Sequence, residues 1–377
     1  MSLTPRICFV ALSAWPVLSE DRRIKSVGGA EVQQCYLARG LVQEGYCISM
    51  ICMDHGQKDG VIVDGIHVFK AHTPTGGLPA LRFVYPRLTS VWRALARSNA
   101  DVYYQRGGGV HTAYVAAFCR RHEKKFIYAA AHDADFDPNL PYIRYARDRV
   151  LFRWGLRRAD AVVVQNPAQR TACHRNLTIP ATLIKSGYTL PAHRRRHAGH
   201  YILWVASLRD WKRPEWFIEL ARRLPHCQFR MVGGADSPDY ERHLRQMAAP
   251  VANLEFVGFV PYADIEQHFD GACLLVNTSR HEGFPNTYLQ AWARGIPTVG
   301  TVATGGTCGG APVGIEVHTF DELTETVAQL MQDDQARELA GARCLDCFEE
   351  EHSLTAVLRD YTSLIETLIP ERSAKVP

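Results

Sequence analysis

The sequence predicts an α/β protein made of two doubly wound, Rossmann-like domains that face an interdomain cleft. Its 377 residues are too many for one ordinary core, and suit two domains of roughly 150–200 residues. Short apolar runs alternate with helical periodicity along the chain, the serial pattern of a mostly parallel sheet covered on both faces. That series pauses once, at residues 191–200, where Pro191, Gly199, three arginines and three histidines follow neither period.

Taken in order, Ile7–Leu12 is an apolar strand. A loop through Ser26–Gly29 leads to a helix over Ala30–Glu44, where Val32, Cys35, Leu37 and Leu41 share one face. Gly45 ends it, and Cys47–Cys52 is the next strand. More strands are predicted at Gly65–Lys70, Val102–Gln105, Lys125–Ala129, Ala161–Gln165 and Thr182–Lys185. Beyond the pause come strands at Tyr201–Ala206, Gln228–Val232, Leu254–Val257, Gly271–Val276 and Pro297–Val299. Helices are predicted at Pro214–Arg223, Ser237–Met247, Ile265–Phe269, Thr287–Arg294 and Glu322–Gln332. The expected domains are residues 1–190, a linker 191–200, residues 201–352, and a tail 353–377 whose helix, Ser353–Leu368, is free to cross back to the first domain. Ligands of such sheets bind beyond the carboxyl ends of the strands.

Composition narrows the class. Apolar residues at 46% and charged residues at 22% exclude a coiled coil, a collagen and a largely disordered chain. No 18-residue apolar run predicts a transmembrane helix. Arg6 and the run Ile7–Leu18 have the outline of a short signal peptide, but Ser13 and Pro16 interrupt it, and a first strand is the better reading. Eleven cysteines, an odd number, argue against a fully paired extracellular framework. Cys344 and Cys347 lack a second pair at zinc-finger spacing and read as ordinary thiols near a helix end. The net charge of +4 hides an asymmetry: residues 1–199 carry 28 basic and 14 acidic side chains, and residues 200–377 carry 15 and 25. The basic half suits an anionic partner.

Three segments carry candidate chemistry. In Ser26-Val-Gly-Gly-Ala-Glu31 adjacent glycines allow close backbone approach at a helix start, although the spaced dinucleotide fingerprint is absent. Trp204–Pro214 puts Ser207, Arg209, Lys212 and Arg213 in the loop after a strand, where cations can neutralise a departing phosphate oxygen. His281–Tyr288 follows a very apolar strand. Its Gly283 permits a close turn, Asn286 or Thr287 can cap the following helix, and Glu282 can accept hydrogen bonds from sugar hydroxyls. A capped turn with a solvated Glu282 is the plainer alternative.

With these landmarks the chain resembles the family-4 group of nucleotide-sugar-dependent, retaining glycosyltransferases of the two-domain GT-B fold. Gly28-Gly-Ala-Glu31, Arg157-Arg-Ala-Asp-Ala-Val-Val-Val164, the Lys212 loop, Met231-Val-Gly-Gly234 and above all Glu282-Gly-Phe-Pro-Asn286 carry the resemblance. It implies that Glu282 holds donor-sugar hydroxyls and that Lys212 binds the diphosphate. It likewise implies that Phe284, Pro285, Asn286 and Thr287 form the loop around sugar and diphosphate. Gly28 and Gly29 match the glycine loop over the donor phosphates. His132 resembles the histidine beside the transferred sugar, and Gly258 falls where backbone meets the nucleotide base. Two positions depart from the pattern. Gln290 replaces the second family glutamate, which holds the ribose, and loses charge assistance. Ser207 replaces an arginine, a charge Arg209 could supply.

The implied reaction is same-face attack within an ion pair, with a nucleoside-diphosphate sugar as donor substrate and no cofactor. Asp133-Ala-Asp135 invites a metal reading, against which the resemblance argues. The expected acceptor is a glycan or lipid-linked glycan in surface polysaccharide or glycoconjugate synthesis. Leu81–Arg97 and Tyr142–Arg158 interleave arginines with aromatics and suit an anionic membrane surface. No nucleic-acid module is present. The expected location is cytoplasmic, or peripheral at the cytoplasmic face of a membrane. The rival functions are an inactive nucleotide-sugar-binding scaffold and a nucleotide-sugar epimerase of the same fold.

Overall fold

The structure, a computed structural model, describes residues 4–20, 28–77, 83–191, 199–302, 306–308 and 310–370. Ser26 and Val27 of the glycine loop, Leu81 and Arg82 of the first basic segment, and residues 192–198 of the expected linker lie outside the described residues. The chain divides into two compact units. One is Met1–Gly187 with Leu354–Pro377, and the other is Tyr188–Ser353.

The first unit holds β1 (Arg6–Val10), β2 (Cys47–Cys52), β3 (Val61–Val63), β4 (Ile66–Lys70), β5 (Val102–Arg106), β6 (Lys125–Ala129), β7 (Ala161–Val164) and β8 (Thr182–Leu183). They form one sheet in the order β3-β4-β2-β1-β5-β6-β7-β8. Only the β3–β4 pair is antiparallel. Because helices cover both faces of a parallel sheet, its strands read as near-continuous apolar runs. Tyr103, Phe126, Tyr128 and Phe152 are fully buried in this core. Each such side chain contributes about 1.5–3 kcal/mol by leaving water. The helix Leu354–Leu368 packs on the helix Gly29–Gln43, with Leu358 lying over Gly40, where any β-carbon would meet its methyl groups.

The second unit holds β9 (Tyr201–Val205), β10 (Gln228–Val232), β11 (Leu254–Gly258), β12 (Ala272–Asn277), β13 (Thr298–Gly300), a two-residue hairpin of β14 (Thr307–Cys308) and β15 (Ala311–Pro312), and β16 (Ile315–Glu316). Its main sheet runs β11-β10-β9-β12-β13-β16, all parallel. All six residues of β12 are buried, as a strand at the sheet centre requires. Strand order reverses between β9 and β12, so the carboxyl ends of these two strands flank the switch point where such sheets leave a crevice.

The doubly wound α/β class holds for both units. β4 falls on the expected strand Gly65–Lys70, whereas its partner β3 is only three residues long, too short to show alternation in the sequence. The helix Asp334–Cys347 is not predicted by periodicity either. It buries only Gly341, Cys344 and Cys347, which draw no apolar stripe, although Asp333 caps it by accepting from the Ala336 amide at 2.8 Å. The helix after the glycine turn spans Asn286–Trp292 with Pro285 at its cap position, so Asn286 and Thr287 lie inside it and provide no side-chain cap.

Candidate functional site

Two loops meet at the switch point of the second sheet. After β9 the chain makes a single 3-10 turn, Asp210–Lys212. After β12 it runs through Thr278, Ser279 and Arg280 to Glu282. Fully buried Thr278 ties the loops together. Its hydroxyl accepts from the Trp204 indole at 3.0 Å and donates to the Lys212 carbonyl at 2.6 Å. The Arg280 amide donates to the Trp211 carbonyl at 2.8 Å. Arg213 adopts a left-handed backbone (φ 49°), unfavourable for a side chain of its kind. It is held by bonds to the Thr278 carbonyl at 2.6 Å and the Thr301 hydroxyl at 2.8 Å, and by the Trp216 ring, 3.8 Å away.

This frame presents a charged pair. The Lys212 ammonium bonds Oε1 of Glu282, and both side chains are 13% exposed. Ser279 Oγ donates to the same carboxylate oxygen at 2.8 Å. The ammonium also lies 4.3 Å from the Trp211 ring centroid, and Trp211 stacks on His281. Burial pulls the Lys212 pKa below its ordinary value, while Glu282 works to restore it. A partly desolvated ammonium interacts more strongly with an incoming anion than a surface lysine does.

Phe284 packs its ring against both His352 (5.0 Å) and Trp292 (5.7 Å), which anchors the turn carrying Glu282. Pro285 is buried behind it. Gln290, 3% exposed, donates from Nε2 to Glu266 Oε1 at 3.2 Å. Glu266 also accepts from the Tyr188 hydroxyl and the Arg294 guanidinium, and Arg294 reaches Asp270 at 2.9 Å. Burial opposes the Arg294 charge, yet Glu266 and Asp270 hold its pKa above the usual value. Gly258 ends β11 with φ 90°, where a side chain would meet the Arg245 guanidinium. Arg209 is exposed and paired with Asp236 at 3.1 Å. Lys212 and Glu282 are thus brought into contact, while Gln290 and Arg209 have protein partners of their own.

In the first unit His132 follows β6 and caps the 3-10 turn Asp133–Phe136, its Nδ1 accepting from the Ala134 amide at 3.0 Å. With Nδ1 an acceptor, a neutral ring carries its proton on Nε2. Buried Asp135 accepts from the amides of Ala131 (2.8 Å), His132 (3.2 Å) and Gly108 (3.2 Å), and Asp133 accepts from Gln169 at 2.8 Å. The Asp135 carboxylate is therefore engaged in building the turn, and that of Asp133 in tying it to the helix Pro167–Leu177. Gly28 caps the helix Gly29–Gln43 with extended backbone, and the Glu31 carboxyl occupies the space a Gly28 side chain would need. Burial raises the Glu31 pKa, and the Arg106 charge opposes that rise. Farther round this unit, Tyr142, Tyr145 and Val150 are 60%, 52% and 64% exposed beside Arg144 and Arg147.

Sequence reasoning passed over Thr278, Ser279, Trp211 and Glu266. The first two stand one residue, Arg280, before His281-Glu282 in the chain, a signal within reach. Glu266 lies in a different loop from Gln290 and is adjacent only in space.

Residues 28–185 match the family described as "Glycosyl transferase 4-like domain", and residues 199–333 match "Glycosyl transferases group 1". No curated protein matches the chain. Among solved structures, HepE of Anabaena, determined with UDP-glucose, is 16% identical with a TM-score of 0.73 over 96% of this chain and 100% of that one. Sucrose-phosphate synthase of Thermosynechococcus elongatus is 15% identical with a TM-score of 0.76, covering 97% and 100%. The lipopolysaccharide outer core galactosyltransferase WaaB is 14% identical with a TM-score of 0.63, covering 97% and 100%. With one family match in each unit and this fold across nearly its whole length, the chain belongs to the GT4-like, nucleotide-sugar-dependent glycosyltransferases of GT-B-like fold.

Proposed function

We propose that the protein is a retaining enzyme that moves a sugar from a nucleoside-diphosphate donor to a hydroxyl of a glycan or lipid-linked glycan in surface polysaccharide or glycoconjugate synthesis. The observation that carries this reading is the Lys212–Glu282 pair at the switch point between β9 and β12. Its cation and carboxylate match the two halves of the donor. Lys212 neutralises the departing diphosphate. Glu282 keeps Oε1 on Lys212 and Ser279 and turns its other oxygen to sugar hydroxyls. The amides of Phe284, Pro285's neighbour Asn286, and Thr287 wrap the sugar and diphosphate. Gly258 approaches the base, Gln290 the ribose, and Arg209 the phosphates once released from Asp236.

In this reading the first unit binds the acceptor, with Gly28 and Gly29 over the donor phosphates. His132 donates from Nε2 to the transferred sugar, since its Nδ1 is taken by the backbone. The acceptor proton passes to the leaving diphosphate on the face that the leaving group vacates. One C–O bond to phosphate breaks and one to the acceptor forms, with retained configuration. HepE was solved with UDP-glucose, which supports a uridine donor as the first to try. WaaB is a lipopolysaccharide outer core galactosyltransferase by name, which supports a lipid-linked glycan acceptor; the location proposed with such an acceptor is peripheral, at the cytoplasmic face of a membrane.

The test is incubation of the purified protein with labelled UDP-glucose and other nucleoside-diphosphate sugars, with and without mixed glycolipid acceptors. Labelled glycan whose anomeric configuration, read by NMR, matches the donor is the expected result. Inverted product rejects retention. Isomerised free sugar nucleotide identifies an epimerase, and donor binding with no product from any acceptor identifies a scaffold.

A further inference from the structure

The helix Asp334–Cys347 runs directly into a π-wound turn, Phe348–His352. On a continuing α-helix, at about 100° per residue, Glu351 would share a face with Cys347 while His352 would point about 140° away. A π turn closes on the fifth residue instead of the fourth and is frequent at functional sites. Here it draws both residues under Cys347: one ligand-capable atom from each of Cys347, Glu351 and His352 lies within 4.8 Å of the others. The geometry points to a binding site for one thiophilic divalent cation, with Zn2+ the best match, held by the Cys347 thiolate, the Glu351 carboxylate and the His352 imidazole.

The distances suit such an ion. Two ligands of a tetrahedral zinc, one sulfur and one oxygen, stand about 3.6 Å apart, given Zn–S near 2.3 Å and Zn–O near 2.1 Å. Cys347 Sγ lies 3.7 Å from Glu351 Oε2. The charges suit it as well. A dication with one thiolate, one carboxylate and one neutral imidazole makes a centre of zero net charge. That matters where Cys347 is 1% and His352 4% exposed, because a buried net charge is costly. Binding releases the thiol proton to solvent. The His352 ring is already fixed, stacked on Phe284 at 5.0 Å and set edge-on to Trp292 at 5.7 Å, so little side-chain freedom remains to be lost. Three protein ligands leave a fourth position for water. No step of sugar transfer passes through this ion. It would brace the turn that precedes the last helix, and through His352 the packing of Phe284. The competing interpretation is a plain S–H···O hydrogen bond from Cys347 to Glu351.

The two are separated by titrating the purified, chelator-treated full chain with Co2+, followed by displacement with Zn2+ in competition with a chromophoric chelator. One equivalent of Co2+ should bind with a sulfur-to-cobalt charge-transfer band and the intense visible bands of tetrahedral cobalt. Cys347→Ser should abolish the charge-transfer band and weaken Zn2+ binding by roughly a hundredfold, and His352→Gln by at least about tenfold. Cys344→Ser removes a neighbouring buried thiol outside the trio and should bind as wild type does. Zn2+ should raise the melting temperature of wild type and of Cys344→Ser. Should Cys347→Ser not fold, Glu351→Gln on the half-buried rim replaces it, with the same expected loss of affinity. A wild-type protein showing no thiolate–cobalt band, or a Cys347→Ser or Glu351→Gln protein binding Zn2+ as tightly as wild type, overturns the site and leaves the hydrogen bond alone. The readouts do not depend on transfer activity.

Discussion

Lys212 and Glu282, seventy residues apart, close an ion pair across the switch point of the second sheet, and Ser279 Oγ shares the same carboxylate oxygen. Each member is positioned by its own loop, and buried Thr278 ties the two loops together. Removing either charge leaves the other half-desolvated.

Lys212→Ala should lower kcat by at least about tenfold, equivalent to about 1.4 kcal/mol of lost transition-state stabilisation. Steady-state transfer by the folded variant checks this, and near-normal turnover removes Lys212 from the mechanism. Burial lowers the Lys212 pKa, so wild-type activity should fall at a lower alkaline pH than an ordinary lysine dictates. Lys212→Arg, whose cation does not titrate in that range, should lose this alkaline limb whatever its absolute rate.

Gln290→Glu should destabilise the second unit. It places a second carboxylate beside Glu266, whose oxygen now accepts from the Gln290 amide at 3.2 Å. Like charges raise one carboxyl pKa above its unfolded value. The variant's stability should therefore be closest to wild type at low pH and fall as pH rises through that raised pKa, by about 1–2 kcal/mol at neutral pH. Urea denaturation across the acid range reads this out; parallel curves for variant and wild type would mean the new side chain turns away from Glu266. Calorimetric donor titration of Gln290→Leu tests the ribose assignment, which unchanged affinity removes.

His111 stands at the start of the helix Val110–Arg121, edge-on to Tyr114 at 5.7 Å. Burial pushes its pKa from 6.5 down to about 4, with His72 and Arg87 adding to the effect and Asp148 opposing it. The folded ring stays neutral where the unfolded ring takes up a proton. Its stabilisation is complete above pH 6.5 and drains as pH falls toward 4, by about 1–3 kcal/mol in all. His111→Gln should flatten the acid limb of the stability profile over that window. An unaltered limb assigns the acid sensitivity to other groups.

Anionic liposomes should bind the first unit through Tyr142, Tyr145 and Val150 with the arginines around them. Flotation should decrease as salt rises, because exposed charges are screened, and decrease again on joint Arg144→Gln and Arg147→Gln substitution. Activity on a soluble acceptor should persist in that variant. Flotation insensitive to both salt and substitution rejects this face as the electrostatic dock.

Much of the architecture was legible because it is local. β12 is apolar from Ala272 through Val276, and only a strand covered on both faces needs such a run. Helices such as Pro214–Arg223 announce themselves by period and by proline at the first turn. By contrast, Asp334–Cys347 hides its buried face behind Gly341 and two cysteines, so periodicity has nothing to detect.

By itself the sequence determined the two doubly wound units and the residue types of the Glu282 turn, since strand and helix periods and a contiguous Glu282-Gly-Phe-Pro-Asn286 string are properties of neighbours in the chain. Tertiary structure alone decided which charges meet. Lys212 is linked to Glu282, Gln290 to Glu266, and His132 to its own turn through Nδ1. It also decided that Cys347, Glu351 and His352 converge, through a turn of one residue more than the α-helix. The physical reason is range. Backbone period is set within a few residues, whereas an ion pair or a ligand cluster depends on which strand ends the sheet order places side by side, and on bond geometry at the ångström scale that no residue spacing encodes.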